Sequence, residues 1–386
     1  MKRSQDWTKI ELFFTGDHYF SDLITTFRRA QQHIQVETYI FNIDSVTRIL
    51  LDELVKATHR GVRVQLLVDG FGSFTSISTL EDFCKRHNIE FRVYQPFPLS
   101  RYKSARTIWL SYLFNTLRMF RRLNRRDHRK VIIVDGEVAY VGSMNLTHVH
   151  SRKALGAKAW RDTSVRVSGP QVEILNYAFK VSWYRALKLA FKRFRHKPKL
   201  LKHYDPRNSL VRLNTSLRDR WRLHHDLVKR IRNAQNRVCM TTAYFLPHRS
   251  LMQALKNAAS RGVKVEILVP GPSDVPIIKW AGFELAHNLI KAGVQIYEYQ
   301  TSILHAKVIM IDDWATVGST NLNYRSFLHD LEVEIVLKDQ ENLRLLDEQW
   351  KIDLENSREF DKKIYESASW LQRQIARLAF RLRYLL

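Results

Sequence analysis

HRKVIIVDGEVAYVGSMN runs from His128 to Asn145, and HAKVIMIDDWATVGSTN runs from His305 to Asn321. Each stretch has a His, one residue, a Lys, four residues, an Asp, and then Gly-Ser-x-Asn. A one-residue gap in the turn after the Asp aligns them. One polar set carried twice, about half a chain apart, points to a single site assembled from two halves.

The repeat extends upstream. HRGVRVQLLVDG (His59 to Gly70) matches SRGVKVEILVPG (Ser260 to Gly271), and AQQHIQVETYIF (Ala30 to Phe41) matches AQNRVCMTTAYF (Ala234 to Phe245). Runs such as VQLLVD and VEILVP read as buried strands. Amphipathic helices fit Val46 to His59 and Ser250 to Ser260. Strands alternating with helices predict an α/β chain of two pseudo-twofold-related halves, each a mixed sheet flanked by helices. At 386 residues the chain fits two domains of about 190 residues each. The halves are expected at 1–200 and 201–360, joined through a helix over Gln171 to Phe194 and the basic linker KRFRHKPKLLKHYDP.

Two segments break the symmetry. Residues 95–127 form an insertion in which Phe97, Tyr102, Trp109, Tyr112, Phe114 and Phe120 interleave with eight arginines and lysines. Residues 361–386 end in SWLQRQIARLAFRLRYLL, a basic amphipathic helix by its spacing. Such segments can lie in a membrane interface, apolar face down, or pack on the body with their charges solvated.

The charge is +25, from 63 basic and 38 acidic residues, which points to a polyanionic partner: an anionic membrane or nucleic acid. Hydrophobic residues make up 45% of the chain, enough for a sizeable core. Cys84 and Cys239 read as a free pair in a reducing compartment. No signal-length apolar core opens the chain, and no uncharged apolar run is long enough to span a membrane. Membrane contact is therefore expected from one side.

In a strand, side chains alternate with period two, so His128 and Lys130 share a face, as do His305 and Lys307. Merged across a twofold, the site would hold two His, two Lys and two Asn, Asn145 and Asn321. Two ammonium groups and two amides suit the non-bridging oxygens of a phosphate. Two imidazoles suit in-line displacement, one as nucleophile and one as general acid and then base. The lysines supply the positive charge, so neither metal nor cofactor is expected. Asp135 and Asp312 close their strands and are counted in the catalytic set, with pinning of the turn by hydrogen bonds as the alternative. Ser143 and Ser319 are expected to bind substrate beside the asparagines.

This pattern resembles the phospholipase D superfamily over nearly the whole chain, and within it the bacterial cardiolipin synthases. ETYIF (Glu37 to Phe41), WRDTSVRVSGP (Trp160 to Pro170), AYFLP (Ala243 to Pro247) and GSTNLNYRSF (Gly318 to Phe327) carry the closer likeness. The long synthases begin with two membrane-spanning helices, so the chain looks like the shorter, peripheral type. The resemblance implies His128 as nucleophile and His305 as acid/base, with Asp162 orienting His128, Glu332 orienting His305, and Tyr244 lining the pocket. It departs from the family pattern in the first motif, which reads Gly-Ser-Met-Asn (Gly142 to Asn145) where the synthases usually have two glycines, and at Ser164 and Asn323, where His and Asp are frequent. The implied activity joins two phosphatidylglycerol molecules into cardiolipin and glycerol through a phosphohistidine, at the cytoplasmic face of a bacterial inner membrane. A hydrolase or nuclease of the same superfamily and a non-catalytic binder of anionic membranes are the competing readings. The lipid-like segments make nucleic acid the less favoured partner.

Overall fold

The structure, a computed structural model, describes residues 6–96, 125–186, 204–273, 282, 285–360 and 374. Most of the insertion and nearly all of the C-terminal segment therefore lie outside the described residues, as does the predicted helix beyond residue 186.

The first half is one mixed sheet. Strands β1 (Lys9–Phe13), β2 (His33–Thr38), β3 (Arg63–Asp69), β4 (Glu90–Tyr94), β5 (Val131–Val134), β6 (Val138–Gly142) and β7 (Ser164–Ser168) lie in the order β1-β7-β6-β5-β2-β3-β4. In the second half, β8 (Val211–Leu213), β9 (Arg237–Thr241), β11 (Lys264–Pro270), β12 (Gln295–Tyr299), β13 (Val308–Ile311), β14 (Trp314–Gly318), β16 (Val333–Leu337) and β17 (Ser357–Glu359) lie in the order β17-β12-β11-β9-β13-β14-β16-β8. With β17 set aside, the two orders are the same, strand for strand. The two-residue strands β10 (Phe245–Leu246) and β15 (Leu322–Asn323) form a separate parallel pair.

The parallel central strands are covered on both faces: Ile34 and Val36 of β2 enter the outer core, and Gln35 and Glu37 of the same strand are buried on the other side. On the outer face of the first sheet, α1 (Gly16–Arg29), α2 (Ser45–His59) and α3 (Ile77–Arg86) enclose a core built on Leu23, Leu50, Leu66 and Tyr140. In the second half, α5 (Leu217–Asn233) and α6 (Arg249–Ser260) do the same over Ile231, Leu255 and Ile267. Both α2 and α5 begin at a reciprocal capping box, built on Asp44 and Thr47 and on Ser216 and Asp219. A third core joins the halves. There α4 (Val172–Arg185) and α8 (Gln340–Glu355) contribute Phe179, Trp183 and Trp350 to one cluster with Val165, Val308 and Val333.

Main-chain contacts cross the same boundary. The His128 N–H donates to the Leu331 carbonyl at 3.0 Å, and the Leu331 N–H to Arg126 at 2.8 Å. The twofold counterpart joins His305 N–H to the Arg161 carbonyl at 2.8 Å and Arg161 N–H to Ile303 at 2.9 Å. Arg161 then clamps Asp353 on α8 with two hydrogen bonds of 2.8 Å, the bidentate geometry guanidinium favours.

The motif aspartates sit at the far end of β5 and β13 from the histidines. Asp135 accepts the main-chain N–H groups of Gln31, Gln32 and His33 at 2.8–2.9 Å, and Asp312 those of Gln235, Asn236 and Arg237 at 2.9–3.0 Å. Both adopt φ near +50°, 53° and 49°, a left-handed conformation that few non-glycine residues take. Each ties its hairpin turn to the strand entering β2 or β9. These contacts are those of the turn-pinning alternative, and they set both aspartates apart from the histidines of their motifs.

Asp135→Ala and Asp312→Ala should each cost about 2 kcal/mol of stability, since three main-chain donors lose a charged acceptor. Urea unfolding midpoints test this, and unchanged midpoints would refute the turn-pinning role.

Candidate active site

His128 and His305 stand immediately before β5 and β13, and each is followed at period two by its lysine. All four are buried, with His128 9% exposed and Lys130, Lys307 and His305 4–5%. Lys130 Nζ donates to the His128 carbonyl at 2.7 Å, and Lys307 Nζ makes the equivalent bond to His305. The Tyr39 ring lies 4.9 Å from the His128 ring and 5.2 Å from Lys130 Nζ.

The carboxylates are exchanged between halves. Glu332 of the second half receives His128 Nδ1, with both oxygens at 3.1 Å, and Asp162 of the first half receives His305 Nδ1 at 2.8 Å. The expected pairs, Asp162 with His128 and Glu332 with His305, are therefore reversed. The cause is the cross-boundary pairing described above. It sets Leu331, the residue before Glu332, against the entry to His128, and Arg161, the residue before Asp162, against the entry to His305. Because Nδ1 is engaged in both rings, Nε2 is left for chemistry.

The motif serines hold these carboxylates from within their own half. Ser143 Oγ donates to Asp162, and Ser319 Oγ donates to Glu332. Both hydroxyls thus serve the carboxylates, where contact with substrate was expected. Asn145 Oδ1 accepts the Ile40 N–H at 3.2 Å, so the donors it can still offer are those of its NH2. Asn321 Oδ1 is buried without a hydrogen-bond partner among the described residues. Tyr244 is half-buried and precedes β10, whose pairing with β15 sets Phe245 opposite Leu322, next to Asn321.

Four residues that sequence reading passed over complete the surroundings. Tyr39 covers Lys130. Asn214 accepts the Glu332 N–H at 2.6 Å and so fixes the main chain behind the carboxylate. Ser326 Oγ donates to Glu332 at 2.7 Å. His150 lies 3.5 Å from Asp162. The last two stand at the same distance after Asn321 and Asn145, a signal present in the aligned repeat.

The electrostatics are those of a site that favours an anion. Burial, with Lys130 and Lys307 beside it, pushes the His128 imidazole well below its usual range, and burial with Lys307 and Lys130 does the same to His305. Each imidazole thus feels the lysine of the other half. Burial lowers Lys130 to about 8 against the pull of Glu332, and raises Glu332 to about 7 against the pull of Lys130. Asp162 stays ionised: burial opposes this, and the facing His305 outweighs it.

A family-level profile described as cardiolipin synthase, PLD-like domain, matches residues 23–155 and 227–353, one stretch in each half. Cardiolipin synthase B of Salmonella typhimurium is 32% identical over 381 residues, covering 97% of this chain and 88% of that protein. Cardiolipin synthase 1 of Staphylococcus epidermidis is 30% identical over 362 residues, covering 93% and 70%. The crystal structure of phosphatidylserine synthase from Haemophilus influenzae superposes with a TM-score of 0.68 at 15% identity, covering 98% of this chain and 95% of that one, a likeness of fold. The fold and the doubled site are those of a phospholipase D-like enzyme. Within that superfamily the chain belongs to the cardiolipin synthase family, whose members are phosphatidyltransferases.

A bound phosphodiester would cancel the field of the two lysines and restore the affinity of the imidazoles for a proton. Binding of a short-chain, water-soluble phosphodiester at pH 6 should therefore take up about one proton. Calorimetry in buffers of different ionisation enthalpy reads this number. Zero uptake would show that the lysines do not hold the imidazoles neutral.

Proposed function

We propose that the chain makes cardiolipin from two phosphatidylglycerol molecules by double displacement at His128 and His305. The observation that carries this reading is the reciprocal constellation: two imidazoles, each oriented through Nδ1 by a carboxylate of the opposite half, with a lysine beside each. His128 Nε2 attacks the phosphorus of the first lipid. His305 delivers a proton to the departing glycerol oxygen, and a phosphatidyl-histidine remains. The terminal hydroxyl of a second phosphatidylglycerol then gives its proton to His305 and attacks phosphorus, which releases His128 and yields cardiolipin. Lys130, Lys307 and the amides of Asn145 and Asn321 face the non-bridging oxygens throughout.

The division of labour follows from the carboxylates. The residue that cycles through imidazolium needs an ionised partner at Nδ1. Asp162, held ionised, faces His305, whereas Glu332 sits near neutrality beside His128. In this reading the anionic substrate raises His305 enough to carry the proton it donates.

No helix among the described residues is long and apolar enough to cross a membrane. A charge of +25 suits an enzyme held at the cytoplasmic, anionic face of a bacterial inner membrane, where both substrates lie in one leaflet. The basic aromatic insertion and the C-terminal segment are the contacts proposed for it. Neither a metal nor a cofactor enters the scheme.

Purified protein incubated with phosphatidylglycerol vesicles should give cardiolipin and free glycerol by mass spectrometry. His128→Ala and His305→Ala should each lose at least about 1,000-fold in rate. Phosphatidic acid in place of cardiolipin would mean that water is the acceptor. Product only when phosphatidylethanolamine is added would mean a different phosphatidyl donor.

A further inference from the structure

Where the halves differ inside the site, the differences compensate in length. Five residues beyond Asn145 stands His150, and five beyond Asn321 stands Ser326. Both accept the main-chain N–H of that asparagine, at His150 Nε2 (3.1 Å) and at Ser326 Oγ (3.3 Å). Both then face the carboxylate of their own half. Ser326 Oγ donates to Glu332 Oε1 at 2.7 Å, and His150 Nδ1 lies 3.5 Å from Asp162 Oδ2.

The imidazole's tautomer follows from its contacts. Nε2 accepts a hydrogen bond, so it carries no proton, and the ring proton is on Nδ1. His150 is buried, its Nδ1 makes no hydrogen bond among the described residues, and burial lowers its affinity for a second proton to a value of about 4. It therefore presents one N–H, whose nitrogen lies 3.5 Å from Asp162 Oδ2, a polar contact longer than a hydrogen bond. The oxygen it faces is the one that receives His305 Nδ1 at 2.8 Å. Trp160 packs against both rings, at 5.8 Å from His150 and 5.5 Å from His305, and holds them on one side of the carboxylate.

Glu is one methylene longer than Asp, and His reaches further from the main chain than Ser. The first half combines the short carboxylate with the long bridge, and the second half the long carboxylate with the short bridge. We propose that His150 is a positioning residue for the Asp162–His305 pair, and that His150 with Asp162 and Ser326 with Glu332 are interchangeable spacers setting the reach of each carboxylate across the boundary between halves. His150 touches no reacting atom in this arrangement. It acts by holding Asp162 where His305 Nδ1 can find it. The inference rests on the catalytic reading of His305 given above.

A double-mutant cycle on cardiolipin formation tests it, with thermal unfolding of every variant measured alongside. His150→Ser leaves Asp162 short of a donor, and Asp162→Glu overreaches beside the imidazole. Each should lower kcat about 10- to 100-fold with little change in KM, the scale of loss seen when an orienting partner is removed. The double variant, His150→Ser with Asp162→Glu, rebuilds the arrangement of the second half. It should recover at least about tenfold over the product of the single losses. The mirror pair, Ser326→His with Glu332→Asp, should show the same recovery and provides the test should His150→Ser fail to fold. Losses that simply multiply in a folded double variant would refute the spacer role, as would a kcat for His150→Ser equal to that of the unaltered protein. His305→Ala separates the two levels. Should it keep full turnover, the catalytic reading falls and this proposal with it. Should it be inactive while the cycles show no recovery, the proposal alone falls.

Discussion

Each imidazole in the site is oriented by a carboxylate that the other half of the chain supplies. His128 takes Glu332 and His305 takes Asp162, and neither pair exists inside one half. In the catalytic reading proposed above, the two main-chain bridges next to these residues support the site as much as the packing. A slip of one residue in either would turn the carboxylate to the opposite face of its strand, since side chains alternate. The shared core of Phe179, Trp183, Trp350 and the strands behind them keeps the boundary in register. The Arg161–Asp353 pair adds a buried ionic clamp at the same seam. An ion pair of this kind contributes more to fixing one arrangement than to net stability, because desolvating both charges offsets their attraction.

The site concentrates like charge without a matching counter-charge of its own. Lys130 and Lys307 share it with two imidazoles, and one of the two carboxylates, Glu332, sits near neutrality. The result is imidazoles held towards the neutral form and a cluster of donors in one place. The phosphodiester of the proposed substrate brings one negative charge and oxygens that accept from the lysines and asparagines. The lysines each give a hydrogen bond to a neighbouring main-chain carbonyl, which helps their burial to be tolerated.

The two similar halves and their mixed α/β make-up were legible because they rest on local rules. Period-two spacing placed each lysine on its histidine's face, and the repeat announced the twofold. The carboxylate pairing was not legible. In sequence, Asp162 and Glu332 each follow their own motif, and their motif serines do bind them within the half. Only the pairing of Leu331 with the entry to His128, and of Arg161 with the entry to His305, sends each carboxylate across. Those contacts join residues some 140 to 200 positions apart, and nothing in composition marks them. Asn214, which receives the Glu332 main chain, stands just past the short strand β8 and carries no motif. His150 was legible in principle, as the counterpart of Ser326, but the pair differs in chemical type and only the carboxylates it serves reveal the equivalence. The motif aspartates left two readings open for the opposite reason. They recur as faithfully as the histidines, yet recurrence reports a shared turn as readily as a shared reaction.

The two halves have stayed alike where they face the substrate and have diverged behind it. Residue 129, between His128 and Lys130, points to the other face of the strand, and there Arg129 pairs with Asp127 at 3.2 Å and Glu37 at 2.7 Å, almost fully buried. The second half has Ala306, Leu304 and Thr241 at the matching positions, so an ionic cluster in one half is replaced by a mainly apolar one in the other. Substitutions on that face leave the His and Lys positions untouched, because the strand decouples its two sides. The carboxylates lie on the coupled side, and there the divergence is constrained: a change in length at one residue is matched by an opposite change at its neighbour. Two histidines in near-twofold surroundings thus acquire unequal partners, an ionised Asp162 and a more nearly neutral Glu332. In the reaction proposed above, one imidazole bonds phosphorus and the other carries a proton, and unequal partners suit those two tasks.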